Sequence, residues 1–279
     1  MSARPFLLLG VVHLAPLPGA PRYAGSFDAV LERARNDARA LLEGGLHGVV
    51  VENFGDAPFY PDAVPPLTVA ALTVAAREVA LLARAADGGA RFVGINVLRN
   101  DAASALAIAA CVGADFVRIN VHQGAVVADQ GLLVGRAHET ARLRAASAPR
   151  VRLYCDVRVK HAAPLAERAL EDEVEDLVKR GLADAVLVTG AGTGKATDVE
   201  RLAAARRAAH GAPVLIASGV RAETLAEQAA HADGAIVGTA LEVDGEPGAP
   251  VDPRRIARML DAWRALQRPA PRECGWRNA

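Results

Sequence analysis

Two short stretches hold most of the chemistry that this chain's residue types allow. Residues 116–122 read FVRINVH, and residues 151–160 read VRLYCDVRVK. Side chains on a strand alternate between its two faces. Arg118, Asn120 and His122 then share a face, with Val117, Ile119 and Val121 on the other. In the second stretch Asp156, Arg158 and Lys160 stand opposite Cys155, Val157 and Val159. The aliphatic faces suit packing under helices, so the polar faces are expected to point into one shared interior. Buried charges are costly unless they pair or meet a ligand. Two readings follow. Arg118, Asp156 and Arg158 can fill the interior as an ion-pair network. Asn120, His122, Asp156 and Lys160, nearest the strand ends, can act on a substrate.

Other apolar runs also end in reactive or polar side chains. His13, Glu52, Asn53 and Asn96 each close such a run, and His161 follows Lys160. A single histidine in such a place is more often structural. Several polar residues at the same end of successive strands are harder to explain by packing. Asp156 or Glu52 suits a general base or the stabilisation of a developing cation. Lys160, His13 or His122 suits an acid or electrophile. Lys160 also has the chemistry for a Schiff base, although a solvated or ion-paired lysine is the commoner case. The histidines and carboxylates show no close metal-ligand spacing, so a metal-free site ranks first and no cofactor is called for.

Three later runs end differently. They close in Val188-Thr189-Gly190, Ala217-Ser218-Gly219 and Val237-Gly238-Thr239, and the first continues as Ala191-Gly192-Thr193-Gly194-Lys195. Glycine lets backbone N–H groups approach an anion closely. Thr189, Ser218, Gly219, Gly238 and Thr239 therefore form a candidate phosphate cradle, with the hydroxyls as extra donors. Any one of these glycines alone would be read as a turn residue. The string ending in Lys195 lacks the spacing of a P-loop.

Eight buried strands are expected to hold these ends in place, at residues 6–13, 48–53, 92–97, 116–122, 151–159, 185–189, 214–219 and 235–239. Helical patterns lie between and after them, at 27–43, 67–86, 102–112, 132–146, 171–180, 198–209, 222–230 and 253–266. Ser26 and Asp198 are placed to cap helix starts, and Gly44, Gly113 and Gly181 to end helices. Strict alternation with apolar, parallel-type strands predicts an α/β protein, a single (β/α)8 TIM-type barrel over residues 1–267. Residues 268–279 are expected to be a loosely ordered tail. In a barrel the phosphate site recurs after the last strands, which is where the glycines fall. The segments 14–25 and 53–66, rich in Pro and Gly, are expected to lie over the mouth as lids or covers.

Length and composition limit the alternatives. A chain of 279 residues with zero formal net charge and interspersed charges lacks the footprint of a nucleic-acid binder. No apolar run approaches a membrane span, and the N-terminus lacks a cleavage pattern. Cys111, Cys155 and Cys274 are scattered, which favours reduced thiols and a cytoplasmic protein. Cys155 reads as a buried wall residue before it reads as a nucleophile. The pattern is compatible with a homo-oligomer and does not require one.

Seven segments carry a family resemblance: VVHLAPLPGAPRY, VENFGDAPF, GINVLRND, FVRINVHQGA, ADQGLL, DVRVKHA and IVGTALEVDG. Together they resemble the BtpA family across almost the whole chain. That resemblance implies a TIM-type barrel of the ribulose-phosphate-binding kind. It marks His13, Glu52, Asn53, Asn96, Arg118, Asn120, His122, Asp129, Asp156, Lys160 and His161 as motif residues. It also implies a choice of functions. One is an enzyme on a phosphorylated sugar or nucleoside, of nucleosidase-like or lyase type. The other is a non-catalytic assembly factor of the photosystem I biogenesis type. An assembly platform has little need to keep charges buried in its interior, which favours the enzyme.

Overall fold

The computed structural model describes residues 4–86, 91–190 and 198–271. Eight parallel strands close into a barrel. In chain order they are β1 (Leu7–His13), β2 (Gly48–Glu52), β3 (Phe92–Asn96), β4 (Phe116–Ile119), β7 (Arg152–Val157), β9 (Ala185–Val188), β10 (Val214–Ile216) and β11 (Gly234–Val237). The remaining strands, β5 (Ala125–Ala128), β6 (Gly131–Val134) and β8 (Ala162–Pro164), form a separate antiparallel sheet in the order β6-β5-β8. The helices are α1 (Phe27–Glu43), α2 (Pro66–Ala85), α3 (Ala102–Val112), α4 (Ala137–Ser147), α5 (Leu170–Lys179), α6 (Val199–Ala208), α7 (Leu225–Ala229) and α8 (Pro253–Ala265). The expected (β/α)8 barrel is the observed architecture.

Local signals account for the helix ends. Ser26 accepts the N–H of Ala29, and Asp198 accepts that of Glu200. Pro66 opens α2, where its missing N–H costs nothing. Gly113 ends α3 in the left-handed region at φ 68°. Two terminal glycines do not take that role. Gly44 stays helical and Gly45 turns at φ 104°, and after α5 the left-handed residue is Leu182 rather than Gly181.

One expected helix is corrected. The pattern at 132–146 begins as strand β6 and becomes helical only at Ala137. Gly131, at φ 96°, turns the chain so that β6 pairs back on β5. Leu133 is thereby buried with Val121 and Val159 in a small core of its own. Asp129 sits at this hairpin turn, accepts a bond from the side chain of Gln130 and lies in the field of Arg99 and His161.

Apolar layers fill the barrel below the mouth. Phe116 and Tyr154 stack at 4.3 Å between centroids, and both are almost fully buried. Gly94 makes room for them: a Cβ there would lie 2.2 Å from Phe116 Cζ. Burying an aromatic of this size contributes about 1.5–3 kcal/mol. A larger apolar shell lies between the strands and the helices. Contrary to the expectation that no apolar segment approaches a membrane span, α2 is long and apolar enough to cross one by length and composition, and its inner face packs on β2 and β3. At the opposite end from the mouth, Arg268 donates to the carbonyls of Arg4, Pro5, Ala229 and Ala232, so the tail expected from residue 268 is anchored at its first residue. Residues 272–279, with Cys274, lie outside the described residues.

Candidate active site at the barrel mouth

Strand register builds the polar ring. His13 is paired with Glu52, Glu52 with Asn96, and Asn96 with Arg118 across four neighbouring strands. All four point inward, above the apolar layers. Asn96 donates to Glu52 Oε2 at 2.5 Å. On the next strand Asp156 accepts two bonds from Arg118, Nε to Oδ1 at 3.0 Å and the terminal nitrogen to Oδ2 at 2.9 Å. Asn120 adds a third, to Oδ2 at 3.0 Å. Three bonds from the protein itself thus hold Asp156, and the ion-pair reading holds for Arg118 and Asp156.

It fails for Arg158. The chain leaves β7 at Val157, and Arg158 adopts φ 52°, so strand alternation stops there. Its guanidinium turns outward and grips Glu173 of α5 at 2.9 Å. Lys160 nevertheless returns to the interior and lines the same cavity as His13, Glu52 and Arg118. Burial pulls the Lys160 ammonium below its usual range, more than Glu52 and Asp156 restore. Burial alone would raise the pKa of Glu52. His13 first, then Arg118 and Lys160, and the Asn96 amide outweigh that and hold it below the usual range. Arg99 is a cation that the sequence pattern does not announce. It is buried, donates to the Lys160 carbonyl at 2.7 Å, and lies in the field of Asp156 and Glu52. Its signal was present in the GINVLRND segment, but arginine beyond a strand end reads as solvated.

His13 is held by a second unpredicted residue. Its Nδ1 lies 2.6 Å from Oε1 of Glu242, a buried carboxylate beyond β11, while its Nε2 faces Glu52 Oε1 at 3.6 Å. Glu242 lay in the IVGTALEVDG segment. No strand parity reaches it there, because a short 3-10 turn at Thr239–Leu241 intervenes.

The late strand ends meet this cluster in one cavity of about 400 Å³. Ser218, Gly219, Gly238 and Thr239 line it together with His13, Glu52, Arg118 and Lys160. Arg221, Arg255 and Arg258 stand on its outer side, Arg258 in an ion pair with Glu223 at 3.1 Å. Among the described residues no carboxylate lies within ion-pair distance of Arg255. Gly238 has a second reason to be glycine, since a Cβ there would lie 2.7 Å from His13 Cε1.

Four candidates are placed elsewhere. His122 shares its nitrogen Nε2 with the carbonyl of Gly181 at 2.8 Å, and burial lowers its pKa, which marks a neutral structural imidazole. Asn53 bonds the Leu98 backbone and Asp56, and so braces the segment over the mouth. Thr189 donates to the Arg158 carbonyl at 3.0 Å. His161, at φ 58°, is exposed beside the cluster, in a separate outer cleft that Lys160 also lines. The string Ala191–Lys195 lies outside the described residues. Among the described residues no group of three or more His, Cys, Asp or Glu side chains is placed to hold a metal ion. Cys155 is fully buried, and burial drives its thiol pKa up, which leaves it inert as a nucleophile.

Comparison with known proteins gives a consistent result. The profile of the BtpA family matches residues 5–265. The chain is 44% identical over 255 residues to a protein of Synechocystis sp. named photosystem I biogenesis protein BtpA, covering 91% of this chain and 87% of that one. It is 42% identical over 260 residues to an uncharacterized protein of Thermococcus kodakarensis, covering 93% and 96%. Among solved structures, a thiamine phosphate pyrophosphorylase from Pyrococcus furiosus aligns with TM-score 0.56 at 14% identity, over 94% of this chain and 96% of that one. A phosphoribosyl anthranilate isomerase from Thermus thermophilus aligns with TM-score 0.56 at 12% identity, over 94% and 100%. At such identities the structural likeness shows the barrel fold alone.

Proposed function

The chain belongs to the BtpA family, and from that premise we propose that it is an enzyme acting on a phosphorylated small molecule of the sugar-phosphate or nucleoside-phosphate class. One observation carries the reading: a single cavity is lined on one side by an acid–base cluster and on the other by a glycine and hydroxyl cradle. In this reading the phosphate lies against the backbone of Gly219 and Thr239, with the hydroxyls of Ser218 and Thr239 as donors and Arg255 on the outer side. The rest of the ligand then reaches Glu52, Lys160 and His13. Glu52 serves as base or as stabiliser of positive charge at carbon. Lys160 and His13 serve as proton donors or electrophiles to a ligand oxygen. Arg118 and Asp156 hold the floor of the site and shape its field. The names of the two barrel neighbours, both of which mention a phosphate or phosphoribosyl compound, agree with this class of ligand.

Thr239→Asp tests the cradle. It places a carboxylate where the phosphate is to sit, on a turn residue outside the buried core. Calorimetric titration with inorganic phosphate and with ribose 5-phosphate is expected to show binding to the wild type. The variant is expected to bind at least about tenfold more weakly, a change of about 1.4 kcal/mol. Equal binding by both would remove the cradle. The name of the Synechocystis relative supports a second reading, a barrel that assists assembly without catalysis. The same variant separates the two, because a platform would keep its cellular role when the cavity no longer binds phosphate.

A further inference from the structure

Glu242 is buried, 1% exposed, and among the described residues its ion pair is with His13. An unpartnered buried carboxyl would be costly, and the imidazole of His13 is the side chain that partners this one. Its other oxygen, Oε2, accepts the N–H of Gly248 at 3.1 Å. The segment that carries it is fastened to α1: Val251 N–H donates to Asp37 at 3.0 Å, and Arg33 donates to the Gly248 carbonyl. The carboxylate therefore has little freedom to leave the imidazole.

His13 is fixed on its other sides as well. Phe54 lies against its ring, with centroids 4.4 Å apart. Gly238 runs along its edge at Cε1. Only Nε2 is left towards the cavity, near Glu52 but beyond hydrogen-bond distance at 3.6 Å. In a neutral imidazole one nitrogen donates and the other accepts. An ionised carboxylate accepts and does not donate, so beside one the proton of the ring sits on Nδ1.

We propose that Glu242 is a positioning residue that commits the Nδ1 proton of His13 to itself and so makes Nε2 the atom that exchanges a proton with the ligand. The step balances simply. The Nε2–H bond of the imidazolium breaks as an O–H bond forms on the ligand, and the ring returns to neutral with its remaining proton on Nδ1. The identity of the ligand rests on the reading given above; the pairing of Glu242 with His13 does not.

The experiment uses the full chain, selectively labelled with nitrogen-15 in histidine. The wild type is expected to show a proton on Nδ1 of His13, shifted far downfield by the carboxylate, in both charge states. Glu242→Gln is expected to lose that signal and to show a mixture of tautomers, with phosphate affinity unchanged. A wild-type His13 that carries its proton on Nε2 alone overturns the proposal, as does a Glu242→Gln spectrum identical to the wild type. If Glu242→Gln fails to fold, Gly238→Ala replaces it. The added methyl presses on the ring at Cε1, beside Nδ1, and is expected to shift or abolish the signal. An intact Nδ1 signal in a protein that binds no phosphate would end the phosphorylated-ligand reading and leave the pair standing.

Discussion

Asp156→Asn is expected to lower global stability by about 3–5 kcal/mol, the usual cost of breaking a buried ion pair from one side. The carboxylate accepts three bonds in the barrel interior, two from Arg118 and one from Asn120. Asparagine keeps one acceptor and turns an amide donor towards a guanidinium that is 5% exposed. For a chain of this size each kcal/mol shifts the midpoint by roughly 2–4 °C, so the loss is on the order of 6–20 °C. Thermal and urea unfolding measure it directly. Removing both partners, as Arg118→Met with Asp156→Leu, is expected to recover most of the loss because no charge is then stranded. A single variant as stable as the wild type would show that the pair is not what closes the barrel floor.

If Glu52 acts as the proposed function has it, Glu52→Gln is expected to reduce turnover of the phosphorylated ligand by about 10²–10⁴-fold, the range for removal of a general acid or base. Glu52 lies between His13 and Asn96 in the strand register and faces Lys160 across the cavity. The variant has a second, substrate-free signature. The Glu52 carboxyl is held below its usual range in the folded protein, chiefly by His13 against the effect of burial. Such a group contributes stability that is fully present above its unfolded pKa of about 4.3 and is lost as pH falls through the lower folded value. Glu52→Gln should therefore lose less stability than the wild type as pH falls below about 4. Unfolding free energies measured across that window check the sign, and a steeper acid loss in the variant would contradict it.

How far these residues could be read from sequence depends on strand parity. His13, Glu52, Asn96, Arg118 and Asp156 all sit on barrel strands, where alternation decides the face, and all five point inward as expected. Parity failed where the backbone leaves the strand. Arg158 takes a left-handed conformation and turns to Glu173, and His122 lies beyond β4 and turns to a helix-end carbonyl. Arg99 and Glu242 stand outside any strand, so no periodicity announced them, although both contribute to the cluster. The glycines of the cradle were legible as strand endings. What sequence could not supply was the second constraint on Gly238, since contact with His13 joins the ends of the first and last barrel strands. The antiparallel sheet escaped because Leu132 and Leu133 fit a helix start as readily as a hairpin strand.

In the proposed function the anchoring strand ends and the reactive strand ends serve one phosphorylated ligand. The most direct measurement is a crystal structure of the protein with inorganic phosphate or ribose 5-phosphate, together with the Thr239→Asp variant under the same conditions. A phosphate is expected against the backbone N–H groups of Gly219 and Thr239 in the wild type, with the remainder of the sugar phosphate towards Glu52 and Lys160, and no phosphate there in the variant. An empty cradle with the cavity closed by the protein's own charges, or a phosphate bound only outside the cavity, would contradict it.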